Sequence, residues 1–210
     1  KDQSYVLYML TQEQLAHVKL PLGGLRKDQV RVIAEEHGFI NARKHDSQDI
    51  CFVPDGDYAK FIEKYTGKKT PEGDFVDKEG NYIGRHKGII HYTVGQRKGL
   101  GLSLGYPVFV LEIRPETNEV VVGSNEESMS RYVRANAVNF MSVENLKEPK
   151  RVWAKIRYNH RGAWCMVEKT GEDEILCTFE EPQRAITPGQ AVVLYDQDYV
   201  LGGGTIIGDS

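Results

Sequence analysis

The chain is predicted to be an α+β protein: a mostly helical segment, then a small SH3-sized β unit, then a closed antiparallel β-barrel. Three observations support this. Apolar residues recur at helical spacing up to about residue 66. From Gly67 onward that period gives way to short alternating or apolar runs separated by Gly, Pro and Asn turns. A chain of 210 residues with 40% hydrophobic composition is long enough to bury one or two cores.

Residues 1–66 are read as helical. Ser4 is a candidate N-cap for a short helix running through Tyr8 to Leu10, and Thr11 with Gln14 forms a capping box for a second. From Arg26 to His37, Val30, Ile33 and Ala34 share one helical face, and Gly38 supplies the stop. Phe39 and Ile40 are expected to begin an extended piece, and a short strand, Ile50 to Val53, carries Cys51. A further helix from about Gly56 to Tyr65 places Tyr58, Phe61, Ile62 and Tyr65 at helical spacing, read as a core-packing stripe ending at Gly67.

Residues 67–130 form the small central β unit. Phe75 to Ile83 reads as a hairpin around residues 78–81, and Val108 to Ile113 pairs with Glu119 to Val122 across residues 114–118. Residues 131–210 contain runs at Val133 to Phe140, Val152 to Arg157, Trp164 to Glu168, Ile175 to Phe179, Ala191 to Tyr195 and Val200 to Ile207. Six or so such strands fit a closed antiparallel barrel. Gly202, Gly203 and Gly204 mark a tight bend or bulge in the last strand. Cys165 and Cys177 lie among apolar neighbours and are read as structural.

Composition excludes several classes. No apolar run approaches the roughly 18 residues that span a bilayer, so no membrane partner is expected. The first ten residues lack the basic start and cleavage site of a signal peptide, though a chain opening on Lys1 says little about a longer parent. Three cysteines without C-x-x-C spacing argue against a disulfide framework and a zinc site, and favour a reducing cytoplasm. The six histidines show no metal-ligand spacing, so no metal site is expected. A net charge of −3 does not announce nucleic-acid binding, but Arg85, His86, Lys87, Arg97 and Lys98, and then Lys155, Arg157, His160 and Arg161, form local basic clusters.

Chemistry is placed at Cys51, which follows the polar run His45 to Asp49. A reactive thiolate at the mouth of a cleft is one reading and a packed thiol is the other. The carboxylates of Asp46 and Asp49 would raise the thiol pKa unless cations offset them. The stretch from Gly95 to Gly101 matches neither the G-x-x-x-x-G-K-[ST] order nor G-x-G-x-x-G, so ATP binding there is rejected. A basic loop approaching RNA phosphate or the active-site mouth, with Gln96, Arg97 and Lys98, stands against a purely structural turn.

Five motifs occur in order: Lys1-Asp2-Gln3-Ser4-Tyr5, Ser47-Gln48-Asp49-Ile50-Cys51-Phe52, Gly95-Gln96-Arg97-Lys98-Gly99-Leu100-Gly101, Thr187-Pro188-Gly189-Gln190 and Gly202-Gly203-Gly204. Together they resemble the bacterial tRNA 2-thiouridylase family. The resemblance implies a C-terminal barrel similar to those of translation factors. It also implies that Cys51 is the persulfide-carrying cysteine of a sulfurtransferase acting on the wobble uridine. Lys1, Asp2, Gln3, Arg157, Tyr158 and Gln190 then match tRNA-contacting positions. Taken alone, residues 1–3 read as a frayed terminus, Gln190 as a polar residue after a turn, and Asp49 as a backbone cap rather than a proton carrier.

Implied partners are tRNA and a sulfur donor, either a cysteine desulfurase or a sulfur relay protein. ATP with magnesium is implied for the parent, but the family's Ser-Gly-Gly-Val-Asp-Ser type loop and first catalytic cysteine are not in this sequence. The expectation is therefore the C-terminal part of such an enzyme, binding no cofactor and inactive alone. The alternative is a non-catalytic RNA-binding or interaction module of two β domains. A methyltransferase reading finds no support, since no strand ends in a glycine-rich nucleotide turn.

Overall fold

The computed structural model describes residues 2–44, 53 and 56–208. Four helices lie in the first part: α1 (Ser4–Leu7), α2 (Gln12–His17), α3 (Lys27–Glu36) and α4 (Tyr58–Thr66). The capping box of α2 is present: the Thr11 hydroxyl accepts from the Gln14 amide at 3.2 Å, and Gln14 Oε1 accepts from the Thr11 amide at 2.9 Å. Gly38 and Gly67 follow α3 and α4 with φ of 72° and 68°, the left-handed turn that a Cβ disfavours.

Three expectations for this part are corrected. Ser4 is the first residue of α1 rather than its cap; its amide donates to Asp2 Oδ1 at 2.8 Å, so Asp2 does the capping. Residues 40–43 form turns, closed by bonds such as Ala42 N to Phe39 O at 3.0 Å, and no extended piece begins at Phe39. The stripe on α4 is periodic but not core: Tyr58, Ile62 and Tyr65 are exposed and only Ala59 of the helix is buried. The cysteine strand falls outside the described residues except for Val53, which is buried.

A four-stranded sheet follows, built from β1 (Gly73–Val76), β2 (Tyr82–His86), β3 (Phe109–Arg114) and β4 (Glu119–Gly123), in the order β2-β1-β4-β3. Both expected hairpins are present, β1 with β2 and β3 with β4. The turn of the first is tied by the Asn81 amide donating to Asp77 Oδ1 at 2.7 Å. The hairpins join through a parallel pairing of β1 with β4. Phe75, Tyr92, Val110, Val120 and Val122 fill the core. His86 is buried beside them, packing edge-on to Phe75 and Tyr92. Its Nδ1 accepts from the Gly88 amide at 3.0 Å, so the proton sits on Nε2, which faces Asn118 O at 3.1 Å. Burial favours the neutral ring and lowers its pKa, outweighing the bond to Asn118 O, which acts the other way.

The remaining strands close into a six-stranded antiparallel barrel. They are β5 (Met129–Phe140), β6 (Lys150–Lys155), β7 (Ala163–Gly171), β8 (Glu174–Arg184), β9 (Ala191–Asp196) and β10 (Tyr199–Ile206), in the ring order β10-β5-β8-β7-β6-β9. Alternation sends Val133, Val152, Val167, Ile175, Phe179 and Leu194 inward. Cys165 and Cys177 are buried in the same interior, and their mutual hydrogen bond and burial push the Cys177 thiol pKa well up, as expected of structural cysteines.

The glycines of β10 earn their place by close approach. A Cβ at Gly202 would sit 2.3 Å from Asn139 O, and one at Gly203 would sit 2.6 Å from Val192 O and 2.7 Å from the Tyr8 ring. The register shifts on both sides of this stretch, the expected bulge.

Candidate nucleic-acid interface

The outer face of the barrel carries a second, smaller apolar cluster, and α1 is what covers it. Tyr5 and Tyr8 bury their rings there against Val193 and Tyr195. The Tyr5 hydroxyl donates to Ala191 O at 2.8 Å, and Ser4 Oγ donates to Tyr195 Oη at 3.3 Å. Asn139 donates from Nδ2 to the carbonyls of Tyr8 and Leu10, at 2.6 and 3.0 Å, so the chain leaving the helix is held as well. Burial raises the Tyr5 pKa to about 12, keeping the phenol protonated as a donor.

Docking α1 here settles where Asp2 and Gln3 go. Both are exposed. Asp2 is held by the Ser4 amide, with Lys155 Nζ at 3.8 Å; both favour its ionised form and its pKa is lowered. Tyr158 meets the Tyr5 ring edge-on at 5.9 Å and is half-buried, so much of its surface is spent on that contact. Arg157, just past the end of β6, is exposed and lies close enough to Tyr5 to act on it electrostatically. Gln190 is exposed and adjoins Ala191, the acceptor of the Tyr5 hydroxyl; its main chain is fixed by Ile206 N donating to Gln190 O at 2.7 Å. Asp2, Gln3, Arg157, Tyr158 and Gln190 are thus gathered around one docked helix. Lys1, Asp49 and Cys51 lie outside the described residues.

The glycine-rich loop joins this array through the end of β8. Arg157 Nη1 donates to Arg184 O at 3.1 Å, and Arg184 Nη2 donates to Gly95 O at 3.4 Å. Within the loop, Gln96 is a turn residue: its Oε1 accepts from the Thr93 amide at 3.0 Å and its Nε2 donates to Lys98 O at 2.9 Å. Arg97 and Lys98 remain exposed at its tip. The loop offers no phosphate cradle, because the Gly95 and Gln96 amides are already given to Val110 O and Thr93 O. Among the described residues, no three His, Cys, Asp or Glu side chains group as metal ligands.

Two nearby features give contrast. His160, half-buried against Arg157, has its pKa lowered by burial and then by that cation, so this member of the basic cluster is electrically neutral near pH 7. A cleft of about 580 Å³ opens between the sheet and the barrel, lined by Tyr92, Val110, Glu127, Tyr132 and Thr187, and it includes none of the residues gathered around α1. Sequence reasoning missed Arg184, which carries no motif; its role appears only when β8 is set against the loop.

Three family matches divide the chain: one described as tRNA methyl transferase HUP domain over residues 1–55, one as tRNA methyl transferase PRC-barrel domain over 59–124, and one as Aminomethyltransferase beta-barrel domain over 130–206. Among curated proteins, the tRNA-specific 2-thiouridylase MnmA of Lachnoclostridium phytofermentans is 59% identical over 207 residues, 99% of this chain and 58% of that protein. Proteins of the same name from Clostridioides difficile and Koribacter versatilis are 52% and 51% identical, over 98% of this chain and 57% of their own lengths. The chain spans somewhat more than half the length of these relatives. No helix among the described residues is long and apolar enough to cross a membrane.

Proposed function

The chain belongs to the tRNA-specific 2-thiouridylase family, and from that premise we propose that it supplies the tRNA-holding surface of a wobble-uridine 2-sulfurtransferase. The observation that carries this reading is the gathering of Asp2, Gln3, Arg157, Tyr158 and Gln190 around α1 on the barrel. Exposed arginine beside an aromatic ring, with amide side chains at the rim, suits an unpaired RNA loop: the guanidinium pairs phosphate while amides read base edges.

The rest of the reading follows from the family. Cys51 carries the transferred sulfur as a persulfide, received from a cysteine desulfurase or a sulfur relay protein, and Asp49 orients its segment. Lys1 extends the Asp2-Gln3 contact. ATP with magnesium belongs to the activity of the whole protein. The setting is the cytoplasm. Divisions at 66/67 and 130/131 are part of the same proposal, supported by the separate apolar cores and by the family matches changing at 55/59 and 124/130. So are the SH3-like character of the central sheet and the translation-factor character of the barrel.

The test is tRNA binding across a salt series. A transcript with uridine at the wobble position should bind, with affinity falling steeply as salt rises, and Arg157→Ala should weaken binding and reduce the salt slope by about one. Salt-independent binding, or binding indifferent to Arg157, would sink the reading.

A further inference from the structure

We infer that Arg184 is a positioning residue that fixes the Gly95–Lys98 loop relative to Arg157, so that the sheet and the barrel present one continuous RNA-contacting surface; this rests on the tRNA-binding reading above. Arg184 stands at the last position of β8, where the chain leaves the barrel. Its guanidinium carbon lies 4.4 Å from the ring centroid of Phe109, the first residue of β3, and its Nη2 reaches Gly95 O. Its own carbonyl accepts from Arg157. One residue is therefore bonded to both halves of the surface, by its side chain to the loop and by its main chain to the arginine of the barrel.

The surroundings allow little slack at that joint. Ala185, next in the chain, has φ of 54°, and a Cβ on Gly95 would sit 2.5 Å from its Cβ, so loop and barrel are already at closest approach. On the other side the loop is pinned to β3 by Gly95 N to Val110 O at 2.8 Å and Val110 N to Gln96 O at 2.9 Å. Phe109 is buried, so the face on which Arg184 stacks cannot drift. Lysine would keep the charge but lose both the flat stack and the fork that reaches Gly95. The chemistry asked of Arg184 is thus geometric: it sets where Arg97 and Lys98 stand, and with them where a second stretch of phosphates can be met.

The experiment is a double-mutant cycle on the full chain, read as the dissociation constant for an in vitro transcribed tRNA with uridine at the wobble position. Arg184→Ala leaves the main-chain acceptor of Arg157 in place, so it tests the side chain alone. Arg184→Ala and Arg184→Lys should each weaken binding on the order of fivefold, the scale of coupling between groups in contact. In an Arg97→Ala, Lys98→Ala background neither should cost anything more. Full affinity in Arg184→Lys with loss in Arg184→Ala would overturn the inference, since charge alone would then suffice. An undiminished Arg184 effect in the loop-mutant background, no effect of either Arg184 change, or no effect of the loop mutations would overturn it too. In those three cases an intact Arg157 effect leaves the tRNA reading standing, whereas failure of the parent chain to bind overturns both. If Arg184→Ala shifts the thermal midpoint, Arg184→Lys carries the test.

Discussion

Two helices of the first part make an instructive pair. α3 has ten residues, a regular apolar face and a well-formed stop, yet buries none of its residues; α1 has four and is fastened to the barrel by two tyrosines and a set of hydrogen bonds. A sequence period says which face a helix would bury, not whether a surface waits to receive it. The glycines of β10 make the difference: their bare backbone leaves the hollow that the Tyr8 ring enters. The hold on α1 therefore resides in the barrel surface it docks on.

The comparison can be broken most sharply by truncation. Phe179→Ala, inside the barrel, should cost about 3–5 kcal/mol, while Ile33→Ala on the open face of α3 should stay within about 0.5 kcal/mol. Urea unfolding followed by tryptophan fluorescence measures the first directly, since Trp153 and Trp164 both belong to barrel strands. A large cost at Ile33 would mean that its face is covered in solution.

Acid should give the next effect, and should enter through the β parts. Folding lowers the pKa of His86 and His160 below the unfolded value of about 6.5, so the unfolded chain binds more protons in that window. Stability is then full above about pH 6.5 and is lost as pH falls toward the folded values. The urea midpoint should drop between pH 7.5 and pH 5.5, and His86→Gln should lessen the drop; an unchanged drop in both His86→Gln and His160→Gln would refute this. The smallest effect sharpens the other side of the comparison. Tyr5→Phe removes one hydrogen bond and should loosen α1 by about 1 kcal/mol, seen as faster hydrogen exchange over residues 4–10 with β6 and β7 unchanged.

Local signals in the sequence were read well where their cause is local. The Thr11–Gln14 box, the stops at Gly38 and Gly67, both hairpins of the sheet and the six barrel strands need only neighbouring residues or strict alternation to declare themselves. Ser4 was misplaced by one position because the residue before the helix, Gln3, cannot cap it, and the carboxylate of Asp2 takes over. The parallel joining of β1 to β4 and the bond from Arg184 to Gly95, across 89 positions, have no local signature at all. For the site, Gln190 lies in a motif and Arg157 and Tyr158 are implied by the resemblance, but that a helix from the start of the chain draws them together depends on tyrosines which, in sequence, look like any others.

The closed ring of the barrel has a counterpart in how the chain meets its own copies. A ring pairs every strand on both sides and so offers no free ladder to a neighbour, whereas the open sheet ends in β2 and β3. Both of those edges are spoiled for pairing. β2 slips register opposite Phe75 and Val76 and carries Arg85, and β3 slips between Val110 and Glu112 and carries Glu112 and Arg114. Concentrated solutions should therefore resist strand-by-strand aggregation.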